Sequence, residues 1–252
     1  MILGRFQDRR VLVTGGTSGI GRATALAFAE AGATVVFSGR SETRGAEVVA
    51  AGDGLPGSLS FIAADLTEDE SSENLIEEAT ARLGGLDIAF NNAGFQERRA
   101  PLAEQSLETY DRVFDTNLRA VFLAMQAEIG VMLAGGGGVI VNNGSVSGVR
   151  NPNTGLALYC ASKAALLSLT RSAAMEYAEQ AIRINAVSPG RVETPMMMAA
   201  GVGDRAAVAA TLPAKRLGTP EEVAAAVLWL ASEEASFVFG HNLCIDGGFL
   251  AA

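Results

Sequence analysis

Short apolar runs rich in β-branched residues alternate along the chain with longer runs of helical character. RVLVTGG (10–16) predicts a strand entering a glycine turn, and the Ala-rich RATALAFAEAG (22–32) predicts the helix after it. TVVFSGR (34–40) and LSFIAADL (59–66) predict the next two strands, joined by a Gly-rich connection. ESSENLIEEATARLG (70–84) has amphipathic spacing and closes on glycine. LDIAFNNAG (86–94), GVIVNNGS (138–145), IRINAVSPG (182–190) and NLCIDGG (242–248) predict four further strands. Long helices over 106–134 and 154–179 and a shorter one over 220–232 lie between them. The strand runs hold few polar residues, which means burial on both faces. The alternation predicts one α/β domain over 1–252, a doubly wound Rossmann fold whose seven-stranded parallel sheet is flanked by helices. The Met-, Ala- and Gly-rich segment 191–218 breaks the rhythm and reads as a substrate lid, with two ordinary surface helices as the alternative.

Composition narrows the function. Of 252 residues, 49% are hydrophobic and 19% charged, enough for a large core and too apolar for a disordered chain. A net charge of -9 argues against a nucleic-acid partner, because no basic stripe is there to displace counterions. Cys160 and Cys244 form no CxxC pair and no His/Cys cluster, so no disulfide framework and no metal site is expected. Both read as buried apolar fillers. The N-terminus lacks the apolar core of a signal peptide and no uninterrupted apolar run is long enough for a bilayer. A soluble cytoplasmic protein with no membrane partner is the expectation.

VTGGTSGIGRA follows the first strand and opens a helix, which is where a dinucleotide pyrophosphate binds. Gly15 would make the tight turn, Gly19 would let the backbone approach phosphate, and Gly21 would let the helix pack closely on the sheet. NAD-binding folds place an acidic residue about 20 residues further on, at the end of the second strand, to hold the ribose hydroxyls. This chain has Ser38, Gly39 and Arg40 there. A guanidinium in place of a carboxylate accepts a 2′-phosphate, which favours NADP(H). A surface arginine partly neutralised by Glu42 is the plainer reading and leaves NAD(H) as the alternative.

Tyr159 and Lys163 have the i, i+4 spacing of one helix face, with small residues around both. The only histidine, His241, lies far away in sequence and reads as a surface or strand-capping residue, so acid/base chemistry must come from elsewhere.

Together, TGGTSGIG (14–21), ADL (64–66), NNAG (91–94), Asn117 in FDTNLRAVF, Ser145 in NNGSVSG, YCASK (159–163), SPGRVETPM (188–196) and DGG (246–248) resemble the short-chain dehydrogenase/reductase family over nearly the whole chain. The resemblance implies that Tyr159 is the catalytic acid/base, Lys163 its partner and Ser145 the hydroxyl that orients the carbonyl. Asn117 would help hold a water-linked proton path to the lysine. It also implies cofactor contacts from Gly15, Thr17, Ser18, Gly19, Ile20, Gly21, Ser38 and Arg40. Asp65 and Leu66 would meet the adenine, and Asn92, Ala93 and Gly94 would lie beneath the adenosine ribose. Tyr159 and Lys163 would reach the nicotinamide ribose, while Pro189, Gly190, Val192 and Thr194 would meet the nicotinamide. Phe95, Gln96, Val146, Ser147, Asn151, Asn153 and Met196 would shape the substrate pocket, with Met197 and Met198 in an adaptable lid. Most members of that family are homotetramers or dimers, built through the helices that would be 106–134 and 154–179. Two departures stand out: Ser18 sits where many NADP-preferring members carry a basic residue, and NNG precedes Ser145 in place of a more apolar run.

The chemistry fits these residue types. A free tyrosine has a pKa of about 10, and both a nearby ammonium and a positive nicotinamide favour the phenolate. The expectation is therefore an oxidoreductase that interconverts a ketone and a secondary alcohol without a metal, acting on a small molecule. The alternatives are a 3-oxoacyl-carrier-protein reductase docking through Arg98, Arg99, Arg150 and Arg191, and an NAD-dependent dehydrogenase of a sugar, polyol, steroid or cyclic diol. A nucleotide-sensing scaffold is the non-enzymatic rival, and it would have no use for a tuned phenol.

Overall fold

The computed structural model describes residues 4–68, 70–151, 154–199 and 204–252. Seven strands form one parallel sheet in the order β3-β2-β1-β4-β5-β6-β7: β1 (Arg10–Val13), β2 (Thr34–Gly39), β3 (Ser58–Ala63), β4 (Ile88–Asn91), β5 (Gly138–Asn143), β6 (Ile182–Pro189) and β7 (Asn242–Ile245). The helices are α1 (Gly19–Glu30), α2 (Glu42–Ala51), α3 (Ser71–Leu83), α4 (Leu107–Phe114), α5 (Ala120–Gly135), α6 (Ala157–Tyr177), α7 (Pro195–Ala199), α8 (Arg205–Thr211) and α9 (Pro220–Ala231). The expected seven-stranded, single-domain Rossmann architecture is what the chain adopts.

The largely apolar character of the strands has the anticipated cause. Val11, Val13, Val35 and Phe37 point to one face, where Phe28 of α1 and Val223 and Val227 of α9 cover them. Leu12, Val36, Ala89 and Ile140 point to the other face, under Ile76 of α3, Met125 and Ile129 of α5 and Leu166 of α6. All eight residues of β6 are buried. Each large apolar side chain removed from water this way contributes roughly 1.5–3 kcal/mol.

Three local readings need correction. The Gly-rich connection before β3 contains a ten-residue helix, α2. Its Gly45 serves packing rather than a turn, since a Cβ there would lie 2.5 Å from the ring of Phe61. The single helix expected over 106–134 is α4 and α5 joined by a π-helical turn, Asp115–Arg119. The helix expected from 154 starts at Ala157. In segment 191–218 the described residues include two short helices, α7 and α8; residues 200–203 lie outside the described residues. Cys160 is buried as expected, whereas Cys244 is only half-buried. His241 is exposed and directly precedes β7, its backbone N–H donating to Asn185 Oδ1 at 2.9 Å.

By length and composition alone the helical run Leu107–Gly135 could cross a membrane, although charged residues interrupt it. Its packing accounts for much of that apolarity: one face lies on α3 and the sheet, and it carries the fully buried carboxylic acid of Glu128. Glu128 Oε2 accepts from Asn91 Nδ2 at 3.0 Å, and Asn91 Nδ2 also donates to Asn142 Oδ1 at 3.1 Å. Asn142 Nδ2 continues the chain to Thr170 Oγ1 at 3.0 Å. With Oε1 lacking a partner, burial pushes the Glu128 carboxyl up to about 7, against the opposing bond from Asn91. Because the acid is raised, the folded state favours the neutral form. The contribution of Glu128 to stability is therefore fully present at low pH and is lost as pH rises from the ordinary carboxylate range through about 7. At 1.36 kcal/mol for each pKa unit, the loss is about 3 kcal/mol above neutrality. Glu128→Gln should therefore raise the melting temperature at pH 8 and leave it nearly unchanged at pH 4.5; a gain of equal size at both would refute the buried-acid account.

Candidate active site

The strand order places a crevice at the carboxyl ends of β1 and β4, where the chain first leaves the sheet centre on one side and then returns to the other. The turn after β1 and the loop after β4 almost touch there. Gly15 has φ +65°, and a Cβ on it would stand 2.9 Å from Ala93 Cα. Thr14 fixes the approach, its Oγ1 accepting from Asn92 N at 2.9 Å and from Ala93 N at 3.1 Å. Asn92 Nδ2 donates back to the carbonyls of Thr14 and Gly15 at 3.0 and 3.1 Å, and Asn143 Nδ2 donates to Asn92 Oδ1 at 2.9 Å. Ser18, the N-cap of α1, is extended and makes no side-chain cap, so the first N–H groups of that helix are left for another acceptor.

One cleft of about 350 Å³ runs through this crevice. Its lining holds nearly every residue expected to meet cofactor: Gly15, Thr17, Ser18, Gly19, Ile20, Ser38, Arg40, Asp65, Leu66, Asn92, Ala93, Gly94, Pro189, Gly190, Val192 and Thr194. Gly21 is outside the lining and acts through packing, since a Cβ there would lie 2.3 Å from Gly15 O. The side chain of Arg40 is 68% exposed and lies 4.0 Å from Asp65 Oδ2; the neutralising carboxylate is thus Asp65, while Glu42 opens α2. Arg44 also faces this end of the cleft, a residue that sequence reasoning passed over because α2 itself was missed.

At the other end the cleft reaches Ser145, Tyr159 and Lys163, together with Phe95, Gln96, Val146, Ser147 and Met196. Asn153 lies outside the described residues, and Asn151 does not line the cleft. The three side chains come from two places in the fold: Ser145 follows β5, and Tyr159 and Lys163 lie one turn apart in α6. Burial leaves Ser145 7%, Tyr159 9% and Lys163 3% exposed. Lys163 Nζ donates to Asn143 O at 2.7 Å and sits 5.9 Å from the centre of the Tyr159 ring.

The titration of the pair departs from expectation. Burial raises the Tyr159 phenol, and the hydrogen bond with Ser145 offsets this only in part. Burial lowers the Lys163 ammonium to about 8. In the protein alone, loss of water therefore outweighs the help the ammonium was expected to give the phenolate.

Asn117 is fully buried in the π-helical turn and does not line the cleft. Its Oδ1 accepts from Phe95 N at 2.8 Å, and its Nδ2 donates to Phe95 O at 2.8 Å and to Ser162 Oγ at 3.1 Å. Ser162 Oγ donates in turn to Tyr159 O at 2.8 Å. Asn117 thus clamps the loop after β4 to the helix that carries Tyr159. Glu97, also missed from the sequence, binds the same helix end: its buried Oε1 accepts from Tyr159 N at 3.1 Å.

A crevice lined by a glycine turn, with a buried Ser, Tyr and Lys at its inner end, defines an oxidoreductase of the dinucleotide-binding class. Comparison with known proteins makes this specific. Residues 15–250 match the family model described as enoyl-(acyl carrier protein) reductase. The chain is 42% identical to cis-4-hydroxycyclohexanecarboxylate dehydrogenase of Sinomonas cyclohexanicum, covering 98% of each chain. It is 39% identical to cyclohexanol dehydrogenase of an Acinetobacter species, covering 97% of this chain and 96% of that one. Among solved structures, levodione reductase superposes with a TM-score of 0.94 at 35% identity, over 98% of this chain and 100% of that one. A short-chain dehydrogenase of Burkholderia cenocepacia in complex with NADP superposes with a TM-score of 0.90 at 35% identity, over 96% and 98%. The chain belongs to the short-chain dehydrogenase/reductase family, whose members act on CH–OH groups and ketones.

The tightest packing behind the glycine turn is at Gly21. Gly21→Ala puts a methyl group against backbone that has nowhere to go, and overpacking of this kind costs about 1–3 kcal/mol. A lowered melting temperature and a weaker NADPH titration are both expected; a variant that keeps both values shows that the turn yields.

Proposed function

We propose that this protein is an NADP(H)-dependent reductase or dehydrogenase that interconverts a ring ketone and its secondary alcohol. The observation that carries the reading is the convergence of Ser145, Tyr159 and Lys163 at one end of the cleft whose other end holds Arg40 and Arg44. The relatives named for cyclohexanol and for a hydroxycyclohexane acid support a ring alcohol, and neighbours bound to NADP support the phosphorylated cofactor.

The residues fit the dinucleotide: Gly15 and Gly19 line the cleft at positive φ, and no side chain caps the N–H groups that open α1. The N–H groups opening α1 would take the pyrophosphate, Asp65 and Leu66 the adenine, and Asn92, Ala93 and Gly94 the space beneath its ribose. Arg40 and Arg44 would hold the 2′-phosphate. Lys163 would hold the nicotinamide ribose, while Pro189, Gly190, Val192 and Thr194 would hold the nicotinamide. When bound, the cofactor supplies or removes the hydride and in its oxidised form adds positive charge beside the phenol.

The chain's own groups handle the proton. Burial keeps the Tyr159 phenol protonated, so it is ready to donate to the oxygen of a ketone; in the reverse direction it must lose that proton. Ser145 donates to the same oxygen as its charge develops. Lys163 keeps an ammonium near the phenol below about pH 8, and Asn117 positions both elements and holds the water-linked proton path. We further propose a dimer or tetramer built on α5 and α6, whose exposed Phe122, Leu133 and Met175 present apolar surface away from the sheet.

Two variants test the reading. Tyr159→Phe should reduce kcat by about 10²-fold or more while NADPH still binds; loss of binding along with turnover would point to a structural role. Arg40→Asp should weaken NADPH by at least about tenfold relative to NADH, as expected for a lost charge-assisted hydrogen bond, and equal loss of both would remove the 2′-phosphate contact.

A further inference from the structure

The chain is acidic overall, with 28 Asp and Glu against 19 Lys and Arg. The cleft reverses that balance. Among the described residues that line it, the one carboxylate is Asp65, at the adenosine end, while Arg99, Arg112 and Arg191 face the substrate end. We propose that this end binds the carboxylate of an anionic ring ketone or alcohol, with Arg191 and Arg99 as the main ligands and Arg112 at the rim.

The three guanidiniums reach the cleft from unrelated places. Arg191 directly follows Gly190 at the end of β6, and its backbone is anchored, because Gly218 N donates to Arg191 O at 2.9 Å. Its side chain is half-buried, and both this burial and the positive charge of Arg99 lower its pKa. Both guanidiniums line the same cleft, Arg191 half-buried and Arg99 exposed. Arg99 is in the loop after β4, and its Nη1 donates to Thr154 O at 3.0 Å just before α6. Arg112, on α4, stacks 4.1 Å above the ring of Phe95. A stacked guanidinium keeps its in-plane N–H groups directed outward, the geometry that meets a carboxylate edge-on. Phe95, Met196 and Phe249 supply apolar walls for a ring between these cations and Tyr159. Arg191 lines the same cleft as Tyr159 and is half-buried, which favours a small acid that enters the cleft over an acidic carrier protein that docks at its mouth.

This inference rests on the ketone–alcohol reading, and its test separates the two. Turnover of 4-oxocyclohexanecarboxylate is compared with that of its methyl ester, and calorimetry measures cyclohexanecarboxylate and cyclohexanol binding to the NADPH-saturated protein. The acid should exceed the ester in kcat/KM by about tenfold or more, the scale of one charge-assisted hydrogen-bonded pair. That ratio should collapse towards one in Arg191→Ala and Arg99→Ala and return in part in Arg191→Lys. An ester reduced as well as the acid overturns the anion site and leaves the oxidoreductase reading standing. If neither ketone reacts, the ketone–alcohol reading fails, and calorimetry alone decides the site. Preference for cyclohexanecarboxylate that is lost in Arg191→Ala upholds it, and equal binding of the two compounds removes it. An acyl-carrier-protein thioester used more efficiently than the free acid, with the same loss in Arg191→Ala, would replace the small acid by the carrier.

Discussion

The near contact between the turn after β1 and the loop after β4 is the constraint on which the rest of the structure depends. Gly15 and Ala93 approach so closely that a side chain at Gly15 cannot be accommodated, and the carbonyl of Gly15 with Asn92 excludes one at Gly21. Thr14 and Asn92 hold the two segments together with hydrogen bonds in both directions. A crevice opens beyond this contact because neighbouring strands carry the chain away to opposite sides of the sheet. The start of α1 faces that crevice with uncapped N–H groups, and Ser145 and α6 close its far end. Binding and chemistry share one cleft because a single sheet edge organises both.

Buried polarity follows two patterns in this protein. On one side of the sheet, Glu128, Asn91, Asn142 and Thr170 form a chain of hydrogen bonds in which the carboxyl is driven towards its neutral form. Asn142 and Asn143, the unusual pair before Ser145, turn out to serve both regions. Asn142 joins the buried chain, and the carbonyl of Asn143 accepts from Lys163 in the cleft. In the cleft, burial works against charge on Tyr159 and Lys163 alike. A phenol and an amine desolvated together are poised to respond strongly when a charged ligand enters, since the same low polarity that penalises a lone charge strengthens its pairing.

Much of the candidate site was legible because its chemistry is written in residue types at short spacing. Tyr159 and Lys163 lie on one helix face by their separation alone, and the glycines of 15–21 announce a turn between strand and helix. What was misread involved partners distant in the chain. Gly45 looked like part of a flexible connection, whereas it makes room for Phe61. The partners of Asn117, Phe95 and Ser162, lie far from it in the chain, and it bridges them from a π-helical turn. Arg44, Glu97, Arg112 and Phe249 carry no local motif, and only folding brings them to the cleft or to the helix beneath it.

By itself the sequence determined the α/β architecture, because strands buried on both faces must be apolar throughout and the helices between them must be amphipathic or small. It also offered Tyr159 and Lys163 as candidates to move a proton, since no histidine or metal-ligand cluster offers itself in the motifs. Tertiary structure decided how those side chains titrate and what surrounds them. Desolvation depends on how many groups exclude water from one point, and the charge of a cleft depends on which arginines meet there. Both are sums over residues far apart in the chain, and no local pattern contains them.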